Sequence, residues 1–259
     1  MNNKISEKIR NGYNLDLGKL IEDCFEIYKK IFLIAGLGYL LISIFFAALY
    51  FFILIIAFGA SNMAQWAIEL QETRTSAIYI ISISIISIIV SAIVAPINAG
   101  FLKLCLQAKN KQQLQINTLF EYFKSKYIKD IILGSIVVTL TTLIFNLFLE
   151  RMGLVLLVYI VHYIATVFFI LFLPLVIFSE QNFSDALKNS VLLVAKKPLP
   201  IFLAILIAVI GMFVGLIAIC IGIFFTLPII NAMAFSIYDN IVGVEEYNVL
   251  DEIGQVEGE

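Results

Sequence analysis

The sequence predicts an all-α integral membrane protein: a polytopic bundle of six transmembrane helices arranged as three hairpins, each preceded by a cytoplasmic amphipathic helix. Three observations carry this prediction. Hydrophobic residues make up 61% of the 259 residues and charged residues 14%, against about 45–50% and about 25% in soluble domains. The apolar residues are gathered into long runs between Ile31 and Tyr238. Finally, 15 of the 17 Lys and Arg residues fall on one side of those runs. Lipid offers backbone groups no water to bond to, so each run must be a helix that satisfies its own N–H and C=O groups.

About 20 residues of helix cross about 30 Å of hydrocarbon. Four runs meet that length directly: Ile31–Phe58, Ile78–Phe101, Ile131–Leu149 and Met152–Phe178. Only Glu150 and Arg151 separate the third from the fourth, which makes those two a tight hairpin. The stretch from Leu199 to Tyr238 carries no charge; as one helix it would be about 60 Å long, twice the core thickness. It must fold back, and Gly211, Gly215 and Gly222 place the reversal near 215–221. The fifth and sixth spans are then about 199–217 and 219–238. The first run is too long for the apolar core of a signal peptide, about 7–15 residues, and reads as a permanent span.

Lys and Arg set the orientation. Six lie before the first span, six between the second and third, and three between the fourth and fifth; the opposite side holds only Arg74 and Arg151. Both termini are therefore expected in the cytoplasm, with the bacterial plasma membrane as the location. Residues 1–243 read as one membrane domain, and 244–259 as an acidic cytoplasmic tail. Trp66 in the outer loop reads as an interface anchor.

Each odd-numbered span follows a charged segment of helical period. Leu17, Leu20, Ile21, Cys24, Phe25 and Tyr28 share one face in the first. In the second, Thr118 and Glu121 have the spacing of a capping box, with Phe120, Phe123, Tyr127 and Ile128 on one face. Phe183, Ala186, Leu187, Ser190, Val191 and Val194 repeat the pattern in the third. The second helix of every hairpin also carries a proline: Pro96, Pro174 and Pro228. Pro96-Ile97-Asn98-Ala99 resembles Pro228-Ile229-Ile230-Asn231-Ala232. The chain thus reads as three copies of one unit, over about residues 14–101, 117–178 and 183–238.

That order of elements resembles a group of bacterial and archaeal six-span membrane proteins, which includes the membrane domain of some glycerophosphodiester phosphodiesterases. The residues carrying the resemblance are Leu173-Pro174-Leu175-Val176-Ile177-Phe178, Phe183-Ser184-Asp185-Ala186-Leu187 and Tyr238-Asp239-Asn240-Ile241-Val242-Gly243. It implies this fold and membrane residence. It implies no catalytic residue, because the phosphodiesterase domain has no counterpart in this chain.

Few residues are candidates for chemistry. His162, the single histidine, lies mid-span in the fourth run. An intramembrane ionisable group suggests a proton relay, yet no Asp, Glu, Lys or Arg accompanies it within a span, so a neutral imidazole bonded to a neighbour is the competing reading. Asn98 and Asn231 follow prolines that each free a backbone carbonyl. They either bridge helices or line a small polar cavity open to the cytoplasm. Ser84, Ser87 and Ser91, and the Gly211–Gly215 pair, read as helix-packing positions. Lys29, Lys30, Lys129, Lys196 and Lys197 stand directly before spans, where each could add about 1 kcal/mol of attraction to an anionic lipid surface.

The three cysteines (Cys24, Cys105 and Cys220) have neither disulfide nor zinc spacing. The sequence therefore predicts no enzyme, no cofactor, no metal site and no nucleic-acid partner. The expected partners are membrane lipids and an unidentified membrane or cytoplasmic protein. The leading reading is a non-enzymatic scaffold or lipid- and partner-interacting module. The alternative is a carrier or channel for a small solute or lipid.

Overall fold

The computed structural model describes residues 2–58, 76–218 and 221–244, and every regular element among them is helical. Six helical stretches are long and apolar enough to cross a bilayer. In chain order they are Leu17–Phe58, Ala77–Lys109, Ile128–Arg151, Val155–Phe178, Pro198–Ala218 and Gly222–Ile241, hereafter the first to sixth spans. The chain is an all-α polytopic membrane protein. Trp66, Arg74, Cys220 and the acidic tail from residue 245 onward lie outside the described residues.

The third and fourth spans form the expected tight hairpin. Gly153 adopts φ +72°, and its N–H bonds the Glu150 carbonyl at 3.0 Å while that of Leu154 bonds Leu149 at 3.0 Å. This pair of reverse bonds closes the helix end and satisfies carbonyls that would otherwise be bare in lipid. The fifth span ends at Ala218 and the sixth begins at Gly222, within the reversal that the glycines predict.

The three leading segments take three different forms, and two depart from expectation. The first is not a separate interfacial helix. It runs unbroken into its span as the 42-residue helix Leu17–Phe58. Its buried stripe is Leu20, Cys24, Ile27 and Ile31, with Phe25 left 38% exposed. Protein rather than the lipid interface covers that stripe: the Cys24 thiol lies 3.8 Å from the Ile229 carbonyl, and the Tyr28 hydroxyl donates to Phe225 at 3.2 Å.

The second segment is a 3-10 helix, Ile116–Lys124, and the expected capping box is absent from it. Thr118 sits inside the helix, buried, with its hydroxyl bonded to Gln107 at 3.3 Å. With three residues per turn, positions i and i+3 eclipse. Leu119 and Tyr122 therefore face the protein, while Phe120 and Phe123 stack on each other in the open. The third segment is the separate α-helix Phe183–Lys196, capped by the Asn182 side chain and burying Ala186, Ser190, Leu193 and Val194. An N-terminal helix, Asn2–Asn11, which the sequence reading does not anticipate, packs on this third segment and buries Ile5.

Burial is uneven along the bundle axis. At the lysine-bearing end the second span buries Ala95, Ile97, Phe101, Leu104 and Cys105, and the sixth buries most residues from Ile229 to Ile241. Away from that end, no residue from Ala77 to Val94 is buried, and none from Ser135 to Arg151. Small residues explain the tight end. A Cβ on Gly100 would strike the backbone of Leu119, and one on Gly134 would strike the Phe172 ring. Without a hydrophobic force between helices in lipid, such close approach is what holds them together.

Candidate functional site: a cavity at two helix breaks

The fourth and sixth spans each carry a local irregularity, at which Ile170, Leu171 and Leu227 keep right-handed helical dihedrals. The fourth divides into Val155–Phe169 and Phe172–Phe178, and the sixth into Gly222–Thr226 and Pro228–Ile241. Proline is the cause in both, because it donates no hydrogen bond and its ring crowds the carbonyl four residues earlier. For Pro174 that carbonyl belongs to Ile170, inside the break. Pro228 opens the last helix, the position where a missing N–H matters least. The Phe225 carbonyl at the second break is taken by the Tyr28 hydroxyl, and the Thr226 hydroxyl donates to Met212 of the fifth span at 2.7 Å. Pro96, by contrast, sits inside the continuous helix Ala77–Lys109.

Beside these breaks lies a cavity of about 480 Å³. The second, third, fourth and sixth spans supply most of its wall, and Tyr39 of the first span joins them. Asn98 and Asn231 both line it, with Ser91, Ser135, Thr139 and Thr166 as further polar groups. The two asparagines, 133 positions apart in sequence, are thus brought to one site. Their roles differ. Asn231 is buried and its amide donates to the Tyr39 hydroxyl at 2.5 Å. The Asn98 side chain has no hydrogen-bond partner among the described residues. Tyr39 in turn stacks on Phe101, ring centroids 4.1 Å apart, which fixes the hydroxyl that Asn231 uses.

His162 does not join this site. It is exposed on the outer half of the fourth span, and only its backbone carbonyl is engaged, accepting from the Thr166 hydroxyl at 3.0 Å. Among the described residues, neither an ionisable side chain nor a hydrogen bond reaches the imidazole. The serine stripe is turned onto its own helix, Ser84 bonding Ile80, Ser87 bonding Ile83 and Ser91 bonding Ile88. Gly211 and Gly215 accept close contact from Ile229, Thr226 and Gly222, as helix packing requires.

Toward the lysine-bearing end, Leu175, Val176, Phe235 and Tyr238 are fully buried. Beyond them, three consecutive residues of the last helix are tied to three other parts of the chain. Tyr238 shares a 2.6 Å hydrogen bond with Ser179, which follows the fourth span. Asp239 receives Lys109 of the second span at 2.7 Å on both carboxylate oxygens. Asn240 donates to Asp23 of the first at 2.8 Å. These three residues belong to a segment that carries the family resemblance, but their partners are set by tertiary packing. The sequence reading singles out neither Tyr39, an isolated hydroxyl in an apolar run, nor Thr139, one of three threonines within four positions.

The same end carries most of the surface charge. Lys126 bonds Glu180 at 3.0 Å, and the Tyr127 hydroxyl also donates to that carboxylate. The Tyr127 bond first, and the Lys126 bond next, hold the Glu180 carboxyl below its ordinary range. Lys29, Lys30, Lys129, Lys196 and Lys197 are all exposed, and none enters an ion pair among the described residues. No three His, Cys, Asp or Glu side chains come together as a metal site among the described residues.

Comparison with protein-family models, curated proteins and solved structures gives no match.

Proposed function

We propose that this protein is a non-enzymatic, membrane-embedded binding protein or carrier for a small molecule. One observation carries the reading: a cavity with seven polar side chains in a mostly apolar wall, beside the proline-associated irregularities of two spans. A volume of about 480 Å³ falls within the range of about 300–1,000 Å³ usual for ligand pockets, and proline-altered helices beside a site are common in carriers. With positive charge left inside, the lysine-bearing end is the cytoplasmic one and the plasma membrane of a bacterium is the home. The resemblance to the membrane domain of glycerophosphodiester phosphodiesterases is part of this proposal and adds no residue role to it.

The test is to withdraw the protein in native membrane patches and identify what travels with it by mass spectrometry. A small molecule present in the wild type and lost from Thr139→Trp, which fills the cavity, is the expected result. Identical profiles for a wild type and a variant of equal melting temperature would defeat the carrier reading.

A second reading, a scaffold or lipid-interacting module, is favoured by the five exposed lysines that no carboxylate pairs among the described residues. Anionic lipids or a partner protein released when these lysines are changed to Gln would support it.

A further inference from the structure

The two cavity asparagines follow prolines in two similar segments, Pro96-Ile97-Asn98-Ala99 and Pro228-Ile229-Ile230-Asn231-Ala232, yet only Asn231 is hydrogen-bonded within the fold. Asn231 is buried, and its amide is bound to Tyr39. Asn98 faces the same cavity with its amide unclaimed by any described residue. A primary amide carries two donor hydrogens and an acceptor oxygen. Leaving all of them unused inside a membrane bundle has a free-energy cost unless something fills the space.

The rest of the wall limits what that something can be. Of the cavity's polar groups, Ser91 already donates to a carbonyl of its own helix, as do Ser135 and Thr166. Thr139 offers one further hydroxyl, whereas the Asn98 amide alone offers two donors and an acceptor. No Asp, Glu, Lys, Arg or His lines the cavity among the described residues. An ion brought there would lose its hydration and meet no counter-charge, a cost of about 2.5–3.5 kcal/mol or more near the centre of a bilayer. An uncharged molecule with a hydroxyl or amide group has no such penalty. Its polar group can meet Asn98 while its carbon skeleton lies on Val94, Val138, Phe169 and Leu173.

We propose that the cavity takes an uncharged, hydroxyl- or amide-bearing ligand, and that Asn98 is the side chain that hydrogen-bonds it, with Asn231 confined to a structural role. This rests on the carrier reading above and names its ligand class.

The ligand need not be identified for the test. In a background with Cys24, Cys105 and Cys220 changed to Ala, Asn98→Cys is treated in detergent with three methanethiosulfonates: 2-hydroxyethyl, sulfonatoethyl and trimethylammonioethyl. Rates are divided by those of Glu26→Cys, an exposed site. The neutral reagent is expected to react at least about tenfold faster than either charged one, in line with the cost of an unpaired charge. Equal normalised rates would overturn the ligand class while leaving the carrier reading in place. No reaction with any reagent would mean an inaccessible cavity, and both proposals would fall.

A second measurement separates the asparagines. Asn231→Leu is expected to lower the melting temperature by several degrees, and Asn98→Leu to leave it within about one degree, since it breaks no bond within the protein. An equal drop for both would make Asn98 structural and sink its assignment to the ligand.

Discussion

The two ends of the second span differ sharply in burial. Between Ala95 and Ala108 it buries ten residues, packed against the 3-10 helix and the sixth span. Between Ala77 and Val94 it buries none. Hydropathy does not separate these halves, since the unburied one is, if anything, richer in isoleucine. What separates them is the presence of small residues and polar partners. Gly100 lies under the backbone of Leu119, Asn231 reaches Tyr39, and Lys109 holds Asp239. Lipid is as good a solvent for isoleucine as another helix is, so an apolar surface alone draws helices together weakly. Tightness follows the sites where a side chain is missing or a hydrogen bond crosses, and the cavity begins where these run out.

This contrast can be attacked at three points, in order of expected effect. Gly100→Ala pushes a methyl into backbone that cannot swing aside. It should destabilise the protein by an amount at the upper end of about 1–3 kcal/mol. Val90→Ala, on the same helix at a 42% exposed position, should change stability by no more than about 0.5 kcal/mol. Thermal unfolding in detergent compares the two, and similar losses would show that the halves are held alike.

Asp239→Asn removes the charge from a pair whose side chains are 27% and 21% exposed. A loss near the lower end of about 1.5–3 kcal/mol is expected, because solvent still screens the pair in part. The loosening should be local. Amide exchange should quicken in the last turn of the sixth span and at the end of the second, while the third span exchanges as before. Uniform quickening would refute the view that this tie acts on one end alone.

The smallest effect concerns Glu180, whose carboxyl is held low by Tyr127 and Lys126. A carboxylate with a lowered folded-state pKa adds stability above its unfolded value, and that contribution vanishes as pH falls through the folded one. The melting temperature should therefore decline slightly more for the wild type than for Glu180→Gln as pH is brought below the ordinary carboxylate range. Parallel acid profiles would show that these exposed contacts add nothing to stability.

Individual residues show how far sequence reasoning reached. Asn98 and Asn231 could be singled out because an amide after a proline is conspicuous in an apolar run, and the cavity does bring them together. That one is tied and the other free could not be read, because the difference lies in Tyr39, 192 positions from Asn231. Thr118 and Glu121 have the spacing of a helix start, yet tertiary contact with Gln107 and Gly100 draws the segment into a 3-10 helix instead. His162 looked important for its rarity, which carries no information about the direction a side chain faces.

The sequence by itself determined the solvent, the number of crossings and the side on which the positive charge gathers. Each of these depends on sums along a local stretch: about 20 apolar residues for a crossing, and a count of Lys and Arg for a side. Tertiary structure alone decided which end of the bundle packs tightly, which prolines disturb their helices and which asparagine is left free. Those outcomes turn on contacts of a few ångströms between residues far apart in the chain, and no local sum contains them.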